Sequence, residues 1–217
     1  MILPPLYAVL DDEVAARHGW SVPHLARACL AGGARLLQVR GKRLPSGHLL
    51  EIVDEVVRDA APLGAVVIVN DRADIARMAS AAGVHVGQSD LPVMDARVLL
   101  GRSGVVGLST HTDAQIEAAL AEPISYLAVG PIFGTHTKDT GYDAVGFELL
   151  RRAARRTEAA SDRAGTPVPI VAIGGITLAR APDALAAGAT SVAVISDLFA
   201  TGDPERRARE FVEQLGT

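Results

Sequence analysis

One pattern limits the possible folds of this chain more than any other: a short run of apolar, often β-branched residues, a polar loop and an amphipathic stretch, repeated along the sequence. Continuous apolar runs of this length are typical of parallel strands that are buried on both faces. Eight such units in about 200 residues predict an α/β protein, a single (β/α)8 TIM barrel in which residues 1–217 form one domain. The expected strands are 6–10, 36–40, 65–69, 84–86, 105–108, 125–129, 169–173 and 191–195.

The amphipathic stretches between these strands predict the helices of the barrel. Ser21 and Thr112 stand where helix caps are expected, while residues 11–20 are expected to form a polar loop. An open, doubly wound sheet is the alternative, but no Gly-x-Gly-x-x-Gly pattern follows the first strand, which favours the barrel. One helix is expected to begin at Thr112, and the others to cover 21–32, 46–61, 73–83, 92–101, 145–164, 178–187 and 204–215.

The composition excludes several classes of protein. A net charge of −4 without a basic stripe argues against nucleic-acid binding, and 4% aromatic residues are too few for base-stacking surfaces. Cys29 is the single cysteine, which excludes a disulfide framework. No apolar run has the length of a membrane span, and the amino terminus does not resemble a signal peptide. We therefore expect a cytoplasmic protein that acts on small molecules; a homodimer is compatible with the sequence, which does not fix the oligomeric state.

A loop with an unusual mixture of residues follows the sixth expected strand. Residues 130–138, GPIFGTHTK, bring together glycines, a proline, threonines, a histidine and a lysine. Glycines let the backbone approach a ligand closely, and threonine hydroxyls both donate and accept hydrogen bonds. Lys138 adds a mobile positive charge suited to a phosphate. A surface turn with a solvated lysine is the alternative, but the mixture favours a loop that holds an anionic substrate.

The ends of the other expected strands also carry polar residues. Active sites of (β/α)8 barrels form at the carboxyl ends of the strands, so these residues are expected at one rim. Each has an ordinary alternative, such as a local hydrogen bond for Gln38 or Asn70 and a turn for Ser109. Their convergence on one rim is what favours a binding site. The rim residues are Gln38, Arg40, Lys42, Asn70, Asp71, Arg72, Gly87, Gln88, Ser89, Asp90, Ser109, Thr110, His111, Gly174, Gly175, Ile176, Ser196 and Asp197.

Two acids on neighbouring loops predict a metal site at this rim. Asp71 and Asp90 can together bind one Mg²⁺, which prefers oxygen ligands and often keeps waters and substrate phosphates as its other ligands. Arg40, Lys42 and Lys138 would then complete a diphosphate clamp. The alternatives are helix caps for the two acids, an ion pair at a strand end for Arg40 and a solvated charge for Lys42.

The last two expected strands predict a second anion site. Gly174 and Gly175 expose backbone N–H groups after the seventh strand, and Ser196 opens the loop after the eighth. A phosphate site built from these two loops recurs in (β/α)8 barrels. A glycine pair that only permits a tight turn is the alternative. The two sites together predict substrates with two anionic ends, a diphosphate and a monophosphate.

In their order along the chain, these residues resemble the thiamine-phosphate synthase family over nearly the whole sequence. The resemblance implies a transferase that joins a hydroxymethylpyrimidine diphosphate to a thiazole phosphate, with thiamine phosphate and diphosphate as products. Gly41 and the acidic, glycine-rich segment 139–146 depart from the commonest pattern of the family. The matching segments are QVRGK at 38–42, NDR at 70–72, VHVGQSD at 84–90, STH at 109–111, GPIFGTHTK at 130–138, AIGGI at 172–176 and VIS at 194–196.

The resemblance also implies roles for individual residues. Catalytic roles fall to Arg40, Ser109 and Lys138, and one Mg²⁺ per subunit would be bound by Asp71 and Asp90. The pyrimidine diphosphate would be bound by Gln38, Val39, Arg40, Gly41, Lys42, Asn70, Ser109 and Lys138. The thiazole phosphate would be bound by Thr135, His136, Thr137, Gly174, Gly175, Ile195 and Ser196. In this family the diphosphate leaves before the thiazole nitrogen attacks, so a pyrimidine cation is formed and no covalent enzyme intermediate is expected.

Two other functions remain open at this point. A thiazole tautomerase of a related barrel family would need no Mg²⁺ and no second acid at Asp90. It would instead need an acid–base residue near the thiazole, for which His111 and His136 are the candidates. A non-catalytic protein that binds thiamine intermediates would keep the phosphate loops and show no turnover.

Overall fold

The computed structural model describes residues 3–134, 143–164 and 166–216. Each strand in this part of the chain pairs in parallel with the next, and the first pairs with the last, so that the sheet closes into a barrel. The closed eight-strand barrel confirms the predicted fold. Its strands are β1 (Leu6–Asp11), β2 (Leu36–Arg40), β3 (Val66–Asn70), β4 (Gly83–Val86), β5 (Val105–Thr110), β6 (Tyr126–Val129), β7 (Ile170–Ile173) and β8 (Ser191–Val194).

Helices follow the strands and pack around the outside of the barrel. Ser21 and Thr112 cap their helices as predicted, because each side chain accepts a hydrogen bond from a backbone N–H of the first turn. The helices are α1 (Asp12–Arg17), α2 (Val22–Ala31), α3 (Ser46–Ala60), α4 (Ala73–Met78), α5 (Val93–Leu100), α6 (Asp113–Leu120), α7 (Gly146–Ala164), α8 (Ala181–Ala186) and α9 (Pro204–Leu215).

The structure corrects three of the expected elements. The helix expected at 73–83 is shorter, because α4 ends at Met78 and Gly83 is already the first residue of β4. Most of residues 11–20 is not a loop: Asp12–Arg17 form α1, because the Asp11 carboxylate accepts a 2.9 Å hydrogen bond from the Val14 N–H and so caps this helix. The expected helix at 178–187 is divided into a 3₁₀ turn, Leu178–Arg180, and the short α8. The Leu178 N–H is bound by the Asp197 side chain, which holds the start of this turn against the loop after β8.

The core has two layers, set by the alternation of side chains along each strand. One set, including Leu37 and Val69, packs between the sheet and the helices. The other set fills the barrel interior and includes Tyr7, Ile68 and Tyr126. In the described residues, no helix is both long and apolar enough to cross a membrane.

Candidate active site

The carboxyl ends of the strands bring together the polar residues predicted for the rim. Gln38, Asn70 and Ser109 are buried at the ends of β2, β3 and β5. Val39 follows Gln38 in β2, but its side chain packs on the other face of the strand, between the sheet and the helices. Only the main chain of Val39 can therefore face a ligand in the barrel.

Asp71 and Asp90, the two acids of the metal prediction, are close enough for the Asp90 carboxyl to influence that of Asp71. The Lys42 Nζ lies 3.0 Å from the Asp71 Oδ2. Burial raises the pKa of the Asp71 carboxyl, the neighbouring Asp90 adds to this rise, and Lys42 opposes it. Two carboxyl groups held together at a partly buried position form a site that a cation would stabilise in its ionised form.

The alternative of a helix cap does not hold for either acid. The residue before α4 is Arg72, and no side chain caps that helix. Asp71 has φ of 60°, a left-handed backbone conformation that costs free energy in a non-glycine residue. The Asp90 Oδ2 accepts a 2.8 Å hydrogen bond from the Gly87 N–H in its own loop, and α5 also lacks a side-chain cap. Both carboxyl groups are thus held by their loops at the rim.

Arg40 makes an ion pair with a residue that the sequence analysis had placed in a loop. Its Nη1 contacts the Asp11 Oδ2, and the register of β1 and β2 sets these two residues side by side. Both side chains are nearly buried, with 14% of Arg40 and 3% of Asp11 exposed. Arg40 therefore does form the ion pair at a strand end that was the alternative to a role in binding. Among the described residues, the Arg40 Nε is nevertheless a buried donor without a hydrogen-bond partner.

A cavity of about 370 Å³ opens beside the ends of β5 to β8. Its walls combine apolar side chains with backbone of the loops after β6, β7 and β8. Of the predicted site residues, those in the cavity wall are Ser109, Gly174, Gly175, Ile195 and Ser196. Thr135, His136, Thr137 and Lys138 lie outside the described residues.

The glycine pair after β7 has a backbone that other residues do not adopt easily. Gly174 has φ of 99° and Gly175 has φ of 64°. A Cβ atom at Gly175 would come within 2.8 Å of the Phe133 Cβ. The Gly174 carbonyl accepts from the Phe133 N–H at 3.0 Å, and the Gly175 carbonyl accepts from the Arg180 Nη1 at 2.9 Å. Because peptide groups are planar and trans, the next two N–H groups point away from these partners.

Arg180 is a cation of the cavity wall that the sequence analysis missed. Its guanidinium lies 4.4 Å from the centre of the Phe133 ring, and the side chain borders the cavity next to the glycine pair. An arginine held by a ring and a carbonyl remains able to donate to an anion with its other N–H groups. The sequence shows Arg180 only as one more charge in an amphipathic stretch.

An ion pair behind the cavity fixes the last two loops relative to each other. The Asp197 Oδ2 accepts from the Arg207 Nη2 at 2.6 Å and from the Leu178 N–H at 3.0 Å. Asp197 follows Ser196 after β8, while Leu178 begins the 3₁₀ turn after β7. The two loops of the predicted monophosphate site are therefore joined by the partly buried carboxylate of Asp197.

His111 also borders the cavity, at the end of β5. Its Nδ1 lies 2.5 Å from the Gly130 carbonyl oxygen, and its backbone N–H donates to the Gln115 Oε1 at 2.7 Å. These contacts fix the imidazole against the loop after β6. His111 is therefore held in place at the rim.

The closed barrel with a charged rim and a cavity of about 370 Å³ places the chain in the class of (β/α)8 barrel enzymes. The family model described as thiamine monophosphate synthase matches residues 6–198, and the chain belongs to this family. Membership confirms the resemblance seen in the sequence, and with it the expectation of an enzyme of the transferase class.

Relatives and a solved structure agree with this assignment. The thiamine-phosphate synthase of Koribacter versatilis is 40% identical over 98% of this chain and 96% of its own length. That of Methanoculleus marisnigri is 39% identical over 97% of this chain and 94% of its own length. The structure of a thiamine phosphate pyrophosphorylase from Pyrococcus furiosus has a TM-score of 0.82 and 26% identity, covering 97% of this chain and 94% of that one.

Proposed function

We propose that this protein is a one-domain thiamine-phosphate synthase. It would join 4-amino-2-methyl-5-(diphosphooxymethyl)pyrimidine to 4-methyl-5-(2-phosphoethyl)thiazole and release thiamine phosphate and diphosphate. With the carboxylated form of the thiazole as the second substrate, CO2 would be released as well. The observation that carries the proposal is the pair formed by Asp71 and Asp90 beside Lys42, on the same rim as a glycine-built cavity. Two substrates with a diphosphate and a monophosphate need both kinds of site.

The diphosphate end belongs to the loops after β2, β3 and β4. Lys42 already lies against Asp71 and can contact a diphosphate bound there. The orphaned Nε of Arg40 is a charged donor that lacks an acceptor in the described residues. A buried charged donor of this kind is stabilised when an anion supplies the missing acceptor. Gln38, Gly41, Asn70, Ser109 and the main chain of Val39 complete this end.

The residues present fit one Mg²⁺ per subunit. In the described part of the chain, no group of three or more histidine, cysteine or acidic side chains is arranged to hold a metal. Asp71 and Asp90 thus supply two carboxylates, which suits an ion that takes its other oxygens from water and substrate phosphates. When bound, Mg²⁺ neutralises charge on the diphosphate and so helps it to leave.

The thiazole phosphate end belongs to the loops after β7 and β8. The N–H groups that follow the two carbonyls of the glycine pair suit a phosphate, because backbone donors bind anions without a change of geometry. Ile195 and Ser196 close the other side of the cavity. Arg180 adds a positive charge that the family resemblance does not assign.

The chemistry asks little of the protein beyond binding and charge stabilisation. Loss of diphosphate leaves a pyrimidine cation, and the thiazole nitrogen attacks it with a lone pair that it already carries. No general base is required for this step. Arg40 and Lys42 stabilise charge on the departing diphosphate. Lys138 shares this role in the proposal, and Thr135, His136 and Thr137 hold the thiazole phosphate, on the strength of the sequence resemblance.

The test is product formation by the purified protein. With both substrates and Mg²⁺, we expect diphosphate and thiamine phosphate in equal amounts. We expect neither product when a chelator removes Mg²⁺ or when one of the two substrates is left out. Isomerisation of the carboxylated thiazole without metal, and without diphosphate release, would instead establish a tautomerase. Binding of both substrates without any turnover would establish the non-catalytic alternative.

A further inference from the structure

A chain of five buried polar side chains crosses the interior of the barrel. The Gln38 Nε2 donates to the Tyr7 hydroxyl at 2.7 Å, and the Tyr7 hydroxyl lies 2.9 Å from that of Tyr126. The Tyr126 hydroxyl lies 2.9 Å from the His85 Nδ1, and the His85 Nε2 lies 2.8 Å from the Ser109 Oγ. The chain links β2, β1, β6, β4 and β5, and so joins the diphosphate end of the rim to the cavity.

The barrel interior is shaped to hold this chain. A Cβ atom at Gly107 would overlap the Tyr126 ring, so a glycine is needed opposite the phenol. The rings of His85 and Tyr126 stack with centroids 5.6 Å apart, while Tyr7 meets Tyr126 edge to face at 6.0 Å. Burial raises the pKa of both phenols, so each hydroxyl keeps its proton.

The amide of Gln38 favours one direction for the protons of this hydrogen-bond chain. An amide nitrogen only donates, so the Tyr7 hydroxyl accepts from Gln38, and its own proton is then available to Tyr126. In this direction the Tyr126 hydroxyl donates to the His85 Nδ1, which carries no proton. A neutral imidazole carries its proton on the other nitrogen, here Nε2, which donates to the Ser109 Oγ.

We propose that this chain makes Ser109 a hydrogen-bond donor to the pyrimidine diphosphate, with Tyr7, Tyr126 and His85 as positioning residues. The Ser109 Oγ receives the imidazole N–H, so its own proton is left for a substrate acceptor at the rim, where Ser109 lies at the edge of the cavity. A phosphate oxygen or a ring nitrogen of the substrate is an acceptor of this kind. The role of Ser109 as a donor rests on the proposed function, whereas the direction of the chain does not.

The direction of the protons in this hydrogen-bond chain can be tested by ¹⁵N NMR of the histidine side chains, a measurement that does not depend on enzymatic activity. The His85 signals are assigned by their loss in His85→Gln. We expect the neutral tautomer with its proton on Nε2 in the wild-type protein, and a loss of this single form in Tyr126→Phe, which keeps the ring and removes the hydroxyl. A proton on Nδ1 in the wild-type protein would overturn the proposal.

The action through Ser109 is tested by a double-mutant cycle on the rate of diphosphate release. Tyr126→Phe alone is expected to lower kcat about tenfold, the scale of one hydrogen bond, with the KM for the thiazole phosphate unchanged. In a Ser109→Ala background, the same change should cost nothing further, because the donor that it positions is gone. Losses that multiply would show that Tyr126 acts only through the packing of the barrel.

Ser191→Ala is the matched control for the loss of a buried hydroxyl. Its Oγ donates to the Pro5 carbonyl at 3.2 Å at the start of β8, away from the rim. Its effect on kcat should multiply with that of Ser109→Ala. Wild-type protein without diphosphate release would contradict the proposed function and the donor role, while the NMR result would still decide the direction of the chain.

Discussion

The two halves of the rim are built in different ways. The half formed by β1 to β4 uses charged side chains that are already paired with one another, Arg40 with Asp11 and Lys42 with Asp71. The half formed by β6 to β8 uses the backbone of Gly174 and Gly175, with Arg180 beside it. Charged side chains can bind a cation and release a leaving group, whereas fixed backbone donors can only hold an anion. The difference predicts that changes in the first half affect the rate, and changes in the second affect affinity.

The largest effect is expected from the acidic pair. Asp71→Asn or Asp90→Asn removes one of the two carboxylates proposed to bind Mg²⁺ and should lower kcat about 10²-fold, the scale of a lost group that stabilises transition-state charge. The Mg²⁺ concentration needed for half of the remaining activity should rise. Asp95→Asn is the control, because Asp95 is an exposed acid in the first turn of α5. Wild-type rates at low Mg²⁺ in both variants would remove the metal from the account.

Asp11→Asn tests the paired charges of the same half. Removing one partner leaves Arg40 nearly buried without its counter-charge, and breaking such a pair costs about 3 kcal/mol. We expect this loss in the free energy of unfolding measured with urea, together with a lower rate. A stability change below about 1 kcal/mol, the range of surface pairs, would show that Arg40 is solvated.

The control for Asp11→Asn is Asp113→Asn, which breaks an exposed ion pair at the start of α6. Arg152, and then Arg156, lower the pKa of Asp113 to about 2. A lowered pKa means that the stability from this pair is present above the ordinary pKa of an aspartate and is lost as the pH falls towards 2. At neutral pH the control should lose less than about 1 kcal/mol.

A smaller effect is expected for Arg180→Gln in the second half. Loss of a hydrogen bond to a charged group should raise the KM for the thiazole phosphate about tenfold and leave kcat nearly unchanged. Arg209→Gln serves as the control, since Arg209 pairs with Glu205 on the exposed face of α9. A fall in kcat with an unchanged KM would show instead that Arg180 affects the rate, as the charged residues of the first half are expected to do.

The smallest effect is expected for Gly175→Ala. An alanine at this positive φ, with Phe133 close by, should destabilise the protein by about 1 to 2 kcal/mol and weaken binding of the thiazole phosphate. Gly47→Ala is the control. Gly47 lies in the first turn of α3, and a Cβ atom added there would meet nothing within 4 Å. If Gly175→Ala were as harmless as the control, the loop would be free to adopt another shape.

The sequence predicted the barrel because buried parallel strands have a pattern that does not depend on their partners. It also placed Asp71, Asp90 and Ser109 at or just after the carboxyl ends of strands, where the structure has them. It could not find Asp11, because the ion pair with Arg40 depends on the register between β1 and β2. Arg180 was hidden because one charge in an amphipathic stretch resembles any other.

The buried chain was hidden for a different reason. Tyr7 and Tyr126 resemble ordinary core residues of apolar strands, and only the closed barrel shows that their hydroxyls meet. The one available signal is the alternation along β1, where Tyr7, Val9 and Asp11 share a face. A polar residue on the same face as Asp11 indicates that this face points into the barrel. The chain of hydrogen-bonded side chains also connects the two halves of the rim. The residue pattern of a single strand does not predict this connection.

The difference between the two halves is tested most directly by calorimetric titration of the wild-type protein with each substrate alone. The account predicts that binding of the pyrimidine diphosphate requires Mg²⁺ and is lost in Asp71→Asn, while binding of the thiazole phosphate is the same with Mg²⁺ or a chelator and in both proteins. Equal dependence of the two substrates on Mg²⁺, or no dependence of either, would contradict the division of the rim into a charged half and a backbone half.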